Sequence, residues 1–127
     1  MRVYVDSDVL IWHLRGEKKA AALLRRLAGT ERVELWTGAM QRAEIVFFMR
    51  PDEEALTLSL LSRLQTQPVT QSIVDVAGVL YRRWHRSHGI DVNDALLVAS
   101  AAATGGKIVT QNIKRYPMPD AVAEKGW

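Results

Sequence analysis

The chain has 127 residues and a net charge of +3, is 48% hydrophobic and 24% charged, and so reads as a single soluble globular domain over residues 1–127, not a disordered or fibrous protein. It has no cysteine, which excludes a disulfide framework and fits a reducing compartment. No apolar run is long enough to span a membrane, and Asp6 and Asp8 fall where a signal peptide needs its apolar stretch, so a cytoplasmic protein is expected.

Val3-Tyr4-Val5 is β-branched and aromatic, the composition of a short buried strand. Two carboxylates follow, then Val9-Leu10-Ile11-Trp12, which predicts a helix to about Leu14, capped by Ser7 or Asp8 and closed by Gly16. Glu17 to Leu27 has a second helical pattern, with Ala20, Leu23, Leu24 and Leu27 on one face. Val33 to Trp36 is the second strand, and Thr37-Gly38 begins the next turn. A helix is expected from Ala39 to Arg50, ended by Pro51, with Met40, Ala43, Phe47 and Phe48 among its apolar positions.

Asp52-Glu53-Glu54 places acids in the first turn of a fourth helix reaching about Leu64, with Leu56, Leu60, Leu61 and Leu64 as its packing stripe. Pro68-Val69-Thr70 is the third strand candidate. Ser72 and Asp75 have capping-box spacing at the start of a long helix whose inner face is Ile73, Val76, Ala77, Leu80 and Trp84. Asp91-Val92-Asn93-Asp94 opens a helix that is small and apolar almost all round, and therefore deeply placed. Lys107 to Thr110 is the fourth strand, Gln111-Asn112 leaves its end, and Ala121-Val122-Ala123 is a weak fifth candidate. Alternating strands and helices predict a three-layer α/β/α sandwich around a four- or five-stranded, mostly parallel sheet.

In such a sheet, ligands bind past the carboxyl ends of the strands. Asp6 lies there. Ser7 and Asp8 are the better caps, which leaves Asp6 as the first ligand of a divalent metal, while Asp8 reads as a cap before it reads as a ligand. Glu44 sits at the edge of a buried stripe, and Asp94 either complements its helix dipole or joins the site. Asp6, Glu44, Asp94 and Asn112 can all converge on one sheet edge. Two carboxylates about 4 Å apart repel by roughly 4 kcal/mol at an effective dielectric of 20, so the cluster needs protons or a cation. Oxygen ligands without Cys or His point to Mg²⁺ or Mn²⁺. The three histidines form no zinc pattern. Arg82, Arg83 and Arg86 crowd one helix end, where they grip a phosphate backbone or simply meet solvent.

Val-Asp-Ser-Asp-Val-Leu-Ile, Ala-Glu-Ile, Asn-Asp-Ala-Leu-Leu-Val-Ala-Ser-Ala and Val-Thr-Gln-Asn-Ile-Lys-Arg-Tyr occur in that order between Val3 and about Met118. Through them the chain resembles the PIN-domain ribonucleases, specifically the VapC-type toxins of toxin–antitoxin pairs. The resemblance maps the family's acidic site onto Asp6, Glu44 and Asp94, and its threonine after the fourth strand onto Thr110. Many members have a fourth acid where this chain has Asn112, and asparagine where it has Asp8. The resemblance implies metal-dependent cleavage of structured RNA, a homodimer, and a cognate antitoxin that blocks the acidic pocket.

Two other readings share parts of this pattern. Asp-x-Asp after a buried strand is also the signature of haloacid-dehalogenase-type phosphatases, with Asp6 as nucleophile and Asp8 as acid. That chemistry needs a lysine and a later acidic pair, and Gln111-Asn112 stand where the pair belongs. A catalytically inactive PIN-like module that only binds a partner is the non-enzymatic alternative, and an idle acidic cluster argues against it.

Overall fold

The computed structural model describes residues 1–127. Five parallel strands, β1 (Arg2–Val5), β2 (Glu34–Gly38), β3 (Gln65–Gln67), β4 (Lys107–Thr110) and β5 (Ala123–Lys125), lie in the order β3-β2-β1-β4-β5. Every pairing is parallel: Tyr4 is in register with Trp36 on one side and Ile108 on the other. Six helices connect the strands: α1 (Ser7–Leu14), α2 (Lys18–Ala28), α3 (Ala39–Val46), α4 (Glu54–Leu61), α5 (Gln71–His88) and α6 (Val92–Thr104).

Side chains alternate across a strand, and that alternation makes two cores. Tyr4 and Ile108 point to one face, where Ile73, Ala77 and Leu80 of α5 and most of α6 cover them. Val3, Val5 and Val109 point to the other, where they meet Val9, Leu10, Leu23, Leu24 and Leu61 of α1, α2 and α4. The three-layer sandwich expected from the sequence is the fold observed. Its chain order reverses between β1 and β4, and at such a switch point the connections diverge and leave a crevice at the carboxyl edge.

Several local expectations are corrected. The third strand is Gln65–Gln67, paired with Trp36–Gly38, and not Pro68–Thr70. An edge strand needs main-chain partners more than apolar side chains, and its burial is slight. The third helix stops at Val46 instead of Arg50. Arg50 is extended ahead of Pro51, a short 3₁₀ turn follows at Pro51–Glu53, and α4 ends at Leu61, before Leu64. This early stop leaves Phe47 and Phe48 77% and 81% exposed, while Leu56 is 76% exposed, so none of the three packs as expected. Val76 is also exposed. The Ser72–Asp75 box is unused, because Thr70 caps α5 through the Ile73 amide.

Candidate active site

Main-chain pairing sets the position of Asp6. Its amide donates to the Val109 carbonyl at 3.0 Å, so the β1–β4 ladder runs up to the residue. Contrary to the sequence reading, Asp6 is itself the cap of α1: Oδ1 accepts from the Ser7 amide at 2.8 Å. Oδ2 accepts from the Thr110 hydroxyl at 3.0 Å and the Tyr116 hydroxyl at 2.6 Å. Asp8, two residues on, accepts from the Val9 amide at 2.7 Å and, across the crevice, from the Gln111 amide at 2.9 Å.

Glu44 reaches the same crevice from α3. Ser7 Oγ donates to its Oε2 and Asn93 Nδ2 to its Oε1, both at 3.0 Å. Asp94 belongs to a capping box: Asp91 accepts from the Asp94 amide at 2.7 Å, and Asp94 Oδ2 accepts from the Asp91 amide at 2.9 Å. Arg115 Nη1 lies 3.3 Å from both Asp91 and Asp94.

Asp6, Asp8, Glu44, Asp94 and Asn112 therefore line one cavity of about 370 Å³, with Asp91 and Arg115. Thr110 lies fully buried just behind it. Arg82, Arg83 and Arg86 do not line it; they stand exposed on the last turns of α5. Five carboxylates face a single guanidinium, and burial makes that imbalance costly. Burial and then Asp6 push the Asp8 carboxyl up, and burial does the same to Glu44. Asp94 is raised to about 6, by burial first and by repulsion from Asp91, against the pull of Arg115. The Tyr116 phenol, buried and facing Asp6, is driven far above its ordinary range and stays protonated.

The donor set fits a hard divalent cation: it is all oxygen, rich in charge and short of counter-ions. No group of three or more His, Cys, Asp or Glu side chains stands ready to enclose a bare ion. The carboxylates are instead spread around a space wide enough for an ion that keeps several waters, as Mg²⁺ does. Sequence reasoning missed Ser7, Asp91, Asn93, Arg115 and Tyr116. The Asp91–Asp94 spacing was a readable capping signal, whereas Arg115 and Tyr116 end the Val-Thr-Gln-Asn-Ile-Lys-Arg-Tyr motif with no role assigned to them there.

The fold and cavity define an all-parallel α/β protein with an oxygen-only acidic site at its topological switch point. The chain belongs to the PIN domain family, whose model matches residues 3–116. It is 34% identical over 118 residues to Ribonuclease VapC19 of Mycobacterium tuberculosis, covering 91% of this chain and 94% of that protein. Its fold matches that of VapBC2 from Rickettsia felis bound to a promoter DNA fragment, with a TM-score of 0.80 at 23% identity over 100% of this chain and 99% of that one. A toxin–antitoxin complex from Klebsiella pneumoniae matches with a TM-score of 0.77 at 19% identity, over 100% and 98%.

Proposed function

We propose that this protein is a VapC-type endoribonuclease, the toxin of a toxin–antitoxin pair, which uses Mg²⁺ or Mn²⁺ to cut structured RNA. The convergence of Asp6, Glu44 and Asp94 on one cavity carries the reading, and the 34% identity to Ribonuclease VapC19 supports it. Asp6, Glu44 and Asp94 are the catalytic residues and hold the ion, directly or through its waters. Asp8 and Asn112 contribute from the rim, and Thr110 from beneath. When bound, the ion supplies a water of lowered pKa and offsets the charge that develops on the phosphate, leaving a 3′-hydroxyl and a 5′-phosphate.

The chain's own residues do the rest. Arg115 partly neutralises Asp91 and Asp94 and is the one cationic side chain lining the cavity, which suits it to meet a phosphate. Arg82, Arg83 and Arg86, exposed together on the last turns of α5, supply the positive charge that would hold the RNA backbone. The cavity does not suit the phosphatase alternative. That chemistry needs a lysine and a later acidic pair, whereas the only cationic side chain lining the cavity is Arg115 and the residue leaving β4 on its wall is Asn112.

Partner binding has a surface to match. Three adjoining pockets form a cleft-like surface: one lined by Leu24, Leu60 and Leu64 shares His13 and Leu60 with a second, which shares Leu14 with a third lined by Ile11, Ile45 and Phe48. It ends at Glu44, which also lines the acidic cavity. An antitoxin segment laid along this cleft closes the cavity. Val76 and Val79, left exposed a turn apart on α5, suit the face of a homodimer. No helix is long and apolar enough to cross a membrane.

The test is direct. Total cellular RNA is incubated with the protein in Mg²⁺ or EDTA, and the new 5′ ends are sequenced. Discrete Mg²⁺-dependent ends are expected, and Asp6→Asn is expected to lower their yield on the order of 100-fold. Ends that form equally in EDTA, or equally with Asp6→Asn, refute the assignment.

A further inference from the structure

Tyr116 belongs to a core cluster with Met118, Ala95 and Leu97, and it is almost fully buried. A phenylalanine fills that space as well. Burying a phenol hydroxyl costs free energy unless it finds a partner, so packing gives no reason for the oxygen. Its partner is Asp6 Oδ2, at 2.6 Å, the shortest hydrogen bond any carboxylate in the cavity accepts.

The other hydroxyl on Asp6 cannot do this work alone. Thr110 Oγ1 carries one proton, and two carboxylates compete for it: Asp6 Oδ2 at 3.0 Å and Asp8 Oδ2 at 3.3 Å. The same oxygen accepts from the Asn112 amide at 3.0 Å, which fixes its lone-pair side. Whenever the Thr110 proton turns to Asp8, only Tyr116 holds Asp6 Oδ2. A carboxylate has about four acceptor positions. On Asp6, two hydroxyls take Oδ2 and the Ser7 amide takes one position on Oδ1. The remaining position is on Oδ1, and Asp6 lines the cavity.

We propose that the Tyr116 hydroxyl is a positioning group for Asp6, which pins Oδ2 to the protein and leaves Oδ1 as the oxygen offered to a divalent cation. This rests on the metal-dependent reading of the cavity and adds to it the orientation of its first carboxylate. Groups that orient metal ligands typically change affinity 10- to 100-fold when removed.

The experiment measures Mn²⁺ binding, by electron paramagnetic resonance of the free ion, to wild type, Tyr116→Phe and Asp6→Asn, each checked for folding by circular dichroism. Tyr116→Phe is expected to stay folded and bind Mn²⁺ about 10- to 100-fold more weakly, and Asp6→Asn to lose binding further. Tyr116→Phe binding within about twofold of wild type overturns the proposal while leaving the metal site standing. Wild type that takes up no Mn²⁺ overturns both. Should the phenylalanine variant misfold, wild-type crystals soaked in Mn²⁺ decide. The ion on Oδ1, with the phenol still on Oδ2, is the expected result, and the ion on Oδ2 overturns it.

Discussion

Replacing Asp94 by asparagine is expected to stabilise the metal-free protein, and only at pH values where Asp94 is ionised. The Asp94 side chain is 9% exposed, and burial with repulsion from Asp91 lifts its pKa to about 6 from an ordinary 3.8. A carboxyl displaced that far costs about 3 kcal/mol to ionise in place. Between about pH 4 and 6 the folded protein keeps a proton that the unfolded chain has released, so wild-type stability falls as pH rises through that window and levels off above it. Asparagine does not titrate, and its side-chain oxygen still accepts from the Asp91 amide. Arg115 loses one partner but keeps Asp91, a half-exposed pair worth under about 1 kcal/mol.

The net gain should therefore be near zero at pH 4 and about 2–3 kcal/mol at pH 7 and above. Urea denaturation in EDTA across pH 4–8 measures it. A variant no more stable than wild type at pH 7, or equally favoured at pH 4, refutes the reasoning. RNA cleavage should be lost in the same variant, so that stability and activity move in opposite directions.

Two further outcomes follow from packing and from the cleft. A Cβ added at Gly106 would lie 2.6 and 2.7 Å from the Tyr4 ring and 3.2 Å from the Arg2 carbonyl. That ring is fully buried and tied through its hydroxyl to Thr104, so Gly106→Ala should cost about 1–3 kcal/mol, and an unchanged melting temperature would contradict the packing described. Phe47→Ser with Phe48→Ser should leave stability within about 0.5 kcal/mol and RNA cleavage intact. The double variant should also weaken inhibition by the antitoxin about 10-fold or more in a titration of cleavage, and inhibition at wild-type strength would remove this end of the cleft from the interface.

The parts of the site legible in the sequence were those with a local signature. Asp6 follows a strand buried on both faces, and Asp94 begins a helix too apolar to lie at the surface. Both could be placed on the carboxyl edge once the sheet was known to be parallel. Glu44 was readable from its position beside a buried stripe, although the helix that carries it stops at Val46. The roles of Tyr116 and Arg115 were not readable, although both end the last of the four motifs. Their partners lie 110 and 21 residues away, and no periodicity links positions across such a separation. β3 escaped notice because its pairing uses backbone alone, and Gln-Thr-Gln has no apolar pattern to detect. The cap of α1 was placed one or two residues too late, because Asp6, Ser7 and Asp8 can each cap a helix and only the geometry distinguishes them.

The hydrogen bonds on Asp6 bear on how such a protein is made. The residue is translated almost at once, but Thr110 and Tyr116, which hold its carboxylate, come 104 and 110 positions later. β4, which completes the ladder beside it, is equally late. A nascent polypeptide on the ribosome thus carries its first acid for most of its synthesis without the two hydroxyls that hold Oδ2. The acidic cavity is therefore incomplete until more than a hundred further amino acids have been joined.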